Sequence, residues 1–147
     1  MDMFKHLLLP TDGSPLSEAA IKKGVQFAKG INARITGFYV MPELRAFTYR
    51  TEMPEEGEEE FAKGGRVDAG QFLAVIERAA KAAGVACDTD VATSGHPYEA
   101  IIKAAEEKSC DLIVMASHGR RGVQGALLGS ETQKVLTHSK LPVLMYR

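Results

Sequence analysis

Two hydrophobic periods take turns along this chain. Residues 5–10, Lys-His-Leu-Leu-Leu-Pro, form a short apolar run bounded by turn residues, which predicts a buried strand. Ser14 is a helix cap and Pro15 suits the first helical position. Leu16, Ala20, Gly24, Phe27 and Ile31 then fall on one helical face, with Gly24 permitting close approach to a sheet and Gly30 or Asn32 ending the helix. Ile35, Phe38 and Val40 mark a second strand over 33–40, stopped by Pro42. Val67, Phe72, Val75, Ile76, Ala79 and Ala83 predict a helix ending at Gly84. Residues 85–93 read as a third strand, at a sheet edge because Asp88 and Asp90 alternate with apolar positions. Ser94 to Pro97 open a third helix with Tyr98, Ile101, Ile102 and Ala105 inward. Leu112 to Met115 is the most apolar strand, a fourth helix runs from Ser130 to about Ser139, and 141–146 is a final strand.

Strand and helix alternate throughout, and the strands are near-continuous apolar runs. This predicts an α/β fold: a parallel sheet with helices on both faces, in one domain over 1–147. The segment 41–64 differs in character, with six glutamates in the eleven residues 51–61. It reads as an acidic surface loop within the domain, feeding the start of a helix, where the dipole favours negative charge.

Charge and composition narrow the function. A formal net charge of −1 argues against nucleic acid or an anionic membrane as partner. The first apolar run is too short for a signal-peptide core, and no stretch approaches a membrane span, so a cytoplasmic protein is expected. The two cysteines, Cys87 and Cys110, form no Cys-x-x-Cys pair and read as largely buried thiols in a reducing compartment.

In a sheet of this kind ligands sit beyond the carboxyl ends of the strands. Two loops qualify: Thr11-Asp12-Gly13, and residues 116–130, which run from Ala116 through several glycines to Gly129-Ser130 at a helix start. Helix-start amides lack helical partners and suit a phosphate, and Gly119 and Gly129 allow close backbone approach. Ser130 serves as cap or as phosphate ligand. On residue types alone, a phosphate cradle and an ordinary glycine turn fit the second loop equally well; the first loop tips the balance towards the phosphate. No lysine follows these glycines as in a P-loop, and no G-x-G-x-x-G follows the first strand.

The stretches HLLLPTDGSPLSEAAI, SGHPYEAII, CDLIVMASHGRRG and LLGSETQKVLTHSKLPVLMYR together resemble the universal stress protein family over essentially the whole chain. The resemblance implies a Rossmann-like, open five-stranded parallel sheet in the order 3-2-1-4-5. It also implies the pattern G-x2-G-x9-G-[ST] of the nucleotide-binding branch, aligned here with Gly119, Gly129 and Ser130; Ala116 stands at the first glycine. Alanine there is strained if the backbone needs positive φ, obstructs the ribose if the glycine served closeness, and is harmless if neither holds. By resemblance, Pro10, Thr11, Asp12 and Val40 border the adenine, and Met115 and Ala116 the base and ribose. His118, Gly119, Gly129, Ser130, Glu131 and Thr132 surround the phosphates, with Arg120 and Arg121 ranked below them as clamps. Asp12 either fastens its turn or meets the base, the sugar or a phosphate-bound metal, so Mg2+ joins ATP, ADP or AMP as a candidate cofactor.

Catalysis finds little support. Ser117 and His118 are chain neighbours without a G-x-S-x-G elbow, and no spacing resembles a zinc site. His6, at a buried strand, is expected to be structural. The function expected is a stress-response switch or sensor that binds ATP or a related nucleotide, with at most slow hydrolysis. The alternative is a dimeric stress-response interaction module without nucleotide; adenylyl transfer ranks last. The final strand is an apolar edge, and the family pairs through it, so the resemblance implies a homodimer. Which protein reads its state is not encoded here.

Overall fold

The computed structural model describes residues 3–43, 55–117 and 129–147. Five strands form one parallel sheet: β1 (His6–Thr11), β2 (Arg34–Pro42), β3 (Cys87–Ser94), β4 (Leu112–Ala116) and β5 (Val143–Tyr146). Their order is β3-β2-β1-β4-β5, as the resemblance implied. Four helices cross between them: α1 (Pro15–Ile31), α2 (Glu55–Ala83), α3 (Pro97–Glu107) and α4 (Ser130–His138). β1 and β4 are neighbours, and β3 and β5 are the two edges.

The pleat sends successive side chains to opposite faces and so builds two cores. Leu7, Leu9, Ile35, Tyr39, Leu112 and Val114 pack under α1 and α2, against Ile21, Val25, Leu73 and Ile76. Leu8, Phe38, Ile113 and Met115 pack under α3 and α4, against Ile101, Ala105 and Val135. Gly24 lets α1 press onto the first of these faces: a Cβ there would lie 3.0 Å from Leu9 Cδ2 and 3.3 Å from Val114 Cγ1.

Local signals set the helix ends. Ser14 caps α1 by accepting the Ser17 amide at 3.1 Å, with Pro15 behind it. Asn32 ends α1 in the left-handed region at φ 61°, and Gly84 follows α2 at φ +73°.

Several expectations need correction. Helix α2 begins at Glu55, so residues 55–64, assigned to the acidic loop, are its opening turns, while 44–54 lie outside the described residues. Its buried stripe is Ala69, Leu73, Ile76 and Ala80, and Val67 is exposed. On α1 the buried stripe is Ser17, Ala20, Ile21, Gly24, Val25 and Ala28; Leu16, Phe27 and Ile31 flank it. Ala104, not Ile102, joins Ile101 and Ala105 as a buried residue of α3. Strand β2 runs on through Pro42.

Candidate functional site

The carboxyl ends of β1 and β4 are adjacent, which brings the two candidate loops to one end of the sheet. After β1 the chain turns through a network of short polar side chains. Thr11 Oγ1 accepts the Gly13 amide at 3.1 Å and the Ser17 hydroxyl at 2.9 Å. Asp12 Oδ1 accepts the Ser14 amide at 2.9 Å, the turn-fastening role foreseen for it. Gly13 takes φ +80°, and a Cβ there would meet the Phe72 ring at 2.4 Å. Phe72, from α2, also stands edge-on to Tyr39 with centroids 5.2 Å apart. No local pattern in the chain signals that α2 closes over this turn.

The other half of the site hangs from β4. Ser117 follows the strand and is buried; its amide donates to the Tyr146 carbonyl at 2.8 Å. Its own carbonyl accepts the Gly129 amide at 2.7 Å. The buried Thr132 hydroxyl donates to the Ala116 carbonyl at 3.0 Å. These two bonds set the first turn of α4 against the end of β4.

Gly129, rather than Ser130, is the cap residue of α4, and it supplies no side-chain cap bond. Ser130 is the first helical residue and is exposed. Gly129 has φ −68°, a conformation open to any residue, so glycine serves here by its small size and not by its torsions. The first helical bond runs from the Gln133 amide to the Gly129 carbonyl at 3.0 Å. The amides of Ser130, Glu131 and Thr132 therefore have no acceptor within the helix and stand at the positive end of its dipole. Three such amides at a sheet's carboxyl end are chemically suited to an anion.

Alternation settles which sequence candidates share a face. Pro10 follows Leu8 by two, Val40 follows Phe38 by two, and Met115 is itself packed under α3 and α4. Pro10, Val40 and Met115 thus lie at the carboxyl end of the α3–α4 face. Thr11 is buried on the other face and spends its hydroxyl on the turn.

Ala116 sits in β4 opposite Tyr146. Among the described residues only Asn32 and Ser109, besides glycines, take positive φ, so the strain foreseen as one option for Ala116 is absent. The same alternation puts its methyl on the α1 side with Val114, away from Pro10, Val40 and Met115. His118, Gly119, Arg120 and Arg121 lie outside the described residues.

Glu131 makes a contact that sequence reasoning missed. Its Oε2 accepts the Tyr98 amide at 2.9 Å, at the start of α3, and its Oε1 lies 3.5 Å from Lys134 Nζ. Tyr98 donates its hydroxyl to Glu99 Oε1, and that bond raises its pKa above the usual phenol value. No group of three or more His, Cys, Asp or Glu among the described residues is placed to hold a metal.

The model of the universal stress protein family matches residues 3–147. The chain belongs to the universal stress protein family. It is 32% identical over 147 residues to universal stress protein MJ0531 of Methanocaldococcus jannaschii, covering 99% of this chain and 84% of that protein. The solved structure of MJ0577, from the same organism, superposes with a TM-score of 0.82 at 29% identity, covering 97% and 95% of the two chains. A universal stress protein solved in complex with cAMP superposes with a TM-score of 0.73 at 25% identity, covering 99% of each chain. No helix among the described residues is long and apolar enough to cross a membrane.

Proposed function

We propose that this universal stress protein binds an adenine nucleotide, ATP, ADP or AMP, beyond the carboxyl ends of β1 and β4, and that occupancy makes it a stress-response switch or sensor. The observation that carries the reading is the start of α4. Three amides without helical acceptors stand there beside the end of the apolar face that holds Pro10, Val40 and Met115. A flat base suits that face, and the phosphates suit the amides. The cAMP complex of a relative at 25% identity supports the same ligand class.

Main-chain groups fit a polyphosphate without a lysine, and Asp12, in the turn after β1, is the carboxylate to approach the sugar or a phosphate-bound Mg2+. The proposal is binding, with hydrolysis at most slow. The interaction-module alternative drew mainly on Ala116, and the unstrained strand geometry there weakens it.

The test is calorimetric titration with ATP, with and without Mg2+, on wild type and Gly129→Val. The extended torsions at Gly129 admit valine without backbone strain, so the variant should keep its fold by circular dichroism. Its branched side chain should block phosphate approach and reduce affinity at least about tenfold. Equal affinities would place the phosphates away from Gly129, and a wild type that binds no ATP would favour the interaction module.

A further inference from the structure

Helix α3 lacks a cap of its own. His96 precedes it with no side-chain hydrogen bond, and Pro97 fills the first position. The next amide, Tyr98, is taken by Glu131, which lies 33 residues away on α4. We infer that Glu131 is a positioning residue, which ties the first turn of α4 to the start of α3 and so aims the amides of Ser130, Glu131 and Thr132 at a ligand's phosphates. This inference rests on the nucleotide reading given above.

Two bonds to the end of β4, from Gly129 and Thr132, fix where the first turn of α4 begins. Both run to the end of one strand; the buried Val135, farther along α4, packs the helix on the sheet, and a tie from the first turn to another element fixes its angle there. The Glu131 carboxylate supplies the third anchor, to a different element. Companions brace it: Lys134 pairs with Oε1, lies 5.5 Å from the Tyr98 ring centroid, and shares that ring with His138 at 5.3 Å between centroids. The bond to Tyr98 is charge-assisted and sits at the positive end of the α3 dipole.

The geometry also answers an electrostatic objection. A carboxylate on the second residue of a phosphate-binding turn would repel the ligand. Here it is directed to the α3 amide and matched by Lys134, so its charge is compensated within the protein.

Two substitutions separate positioning from charge. Glu131→Gln keeps an oxygen that accepts the Tyr98 amide, so it should bind ATP within about twofold of wild type. Glu131→Ala removes the anchor and should weaken binding about tenfold or more, the scale of one charge-assisted hydrogen bond. If the carboxylate only repelled phosphate, both variants would bind more tightly, and that result would overturn the inference. The spectroscopic signature is the Tyr98 amide proton, whose chemical shift should move in Glu131→Ala, where the acceptor is gone, and stay near the wild-type value in Glu131→Gln. An unchanged Tyr98 amide shift in Glu131→Ala would also overturn it. A wild-type protein that binds no adenine nucleotide would sink the functional reading instead, and the Tyr98 signal would then decide the α3–α4 tie alone.

Discussion

His6 and Thr36 are buried at the opposite end of the sheet from the candidate site and lead to the exposed Asp88. Its Nε2 is 2.6 Å from Thr36 Oγ1, and the Thr36 hydroxyl donates to Asp88 Oδ1. Thr36 has one proton to give, so the Nε2 proton is donated to Thr36 and Nδ1 is the bare nitrogen of a neutral ring. Nδ1 is buried and, among the described residues, within hydrogen-bonding geometry of no partner. Burial, and then the charge of Arg34, push the His6 pKa below the usual histidine value, against smaller opposite pulls from Asp88, Asp111 and the Lys108 carbonyl. Between the folded and unfolded values the unfolded chain binds more protons. The contribution to stability is therefore complete above pH ~6.5 and is lost as pH falls through the folded pKa. Urea midpoints between pH 7.5 and pH 5 should fall more steeply for wild type than for His6→Asn; parallel curves would remove His6 from the cause. Legibility at this scale follows chain distance. Ser14 and Asn32 announce their caps because the groups they serve lie within a few residues. Glu131 and Tyr98 meet across 33 positions, and no local pattern encodes that. Cys110 was readable as an inert thiol: burial raises its pKa to about 11.

Elements with a one-sided or fully buried pattern were read closely, and α2 was not. Its opening turns are rich in glutamate and carry Gly57, Gly64 and Gly65, which have low helix propensity, so the local signal points to loop. The helix nonetheless runs from Glu55 to Ala83, with its acidic start at the positive end of the dipole. The α1 stripe was read in part: Ala20 and Gly24 are buried as expected, while Ser17, Ile21, Val25 and Ala28 were missed, two of them small residues that bury because the helix lies close to the sheet. That closeness gives the prediction for this scale. Gly24→Leu would force side-chain atoms into Leu9 and Val114, and overpacking of this kind costs about 1–3 kcal/mol. Chemical denaturation should show the loss in midpoint with little change in slope.

At the scale of the molecule, the strand order followed from family resemblance; alternation by itself gave only a parallel sheet with helices on both faces. The order leaves β5 as an edge, with Leu144 exposed. The Ile113 amide bonds to the Pro142 carbonyl and the Ser117 amide to the Tyr146 carbonyl, so by alternation Val143 and Met145 turn their backbone groups outward. Pairing of two copies along this edge is the assembly we propose. Met145→Pro would remove an outward donor and spare the bonds to β4. Sedimentation should then show wild-type dimers and a shift of the variant towards monomer; an unchanged dimer would place the contact elsewhere.

The peptide groups flanking Ser117 join these places. Its amide holds the end of β5 and its carbonyl holds Gly129. Were an arriving ligand to displace the glycine, the shift would reach, through one buried residue, the strand by which two copies would meet. Self-association and ligand affinity then become two legs of one thermodynamic cycle, and whichever strengthens the other must be strengthened in return by the same factor.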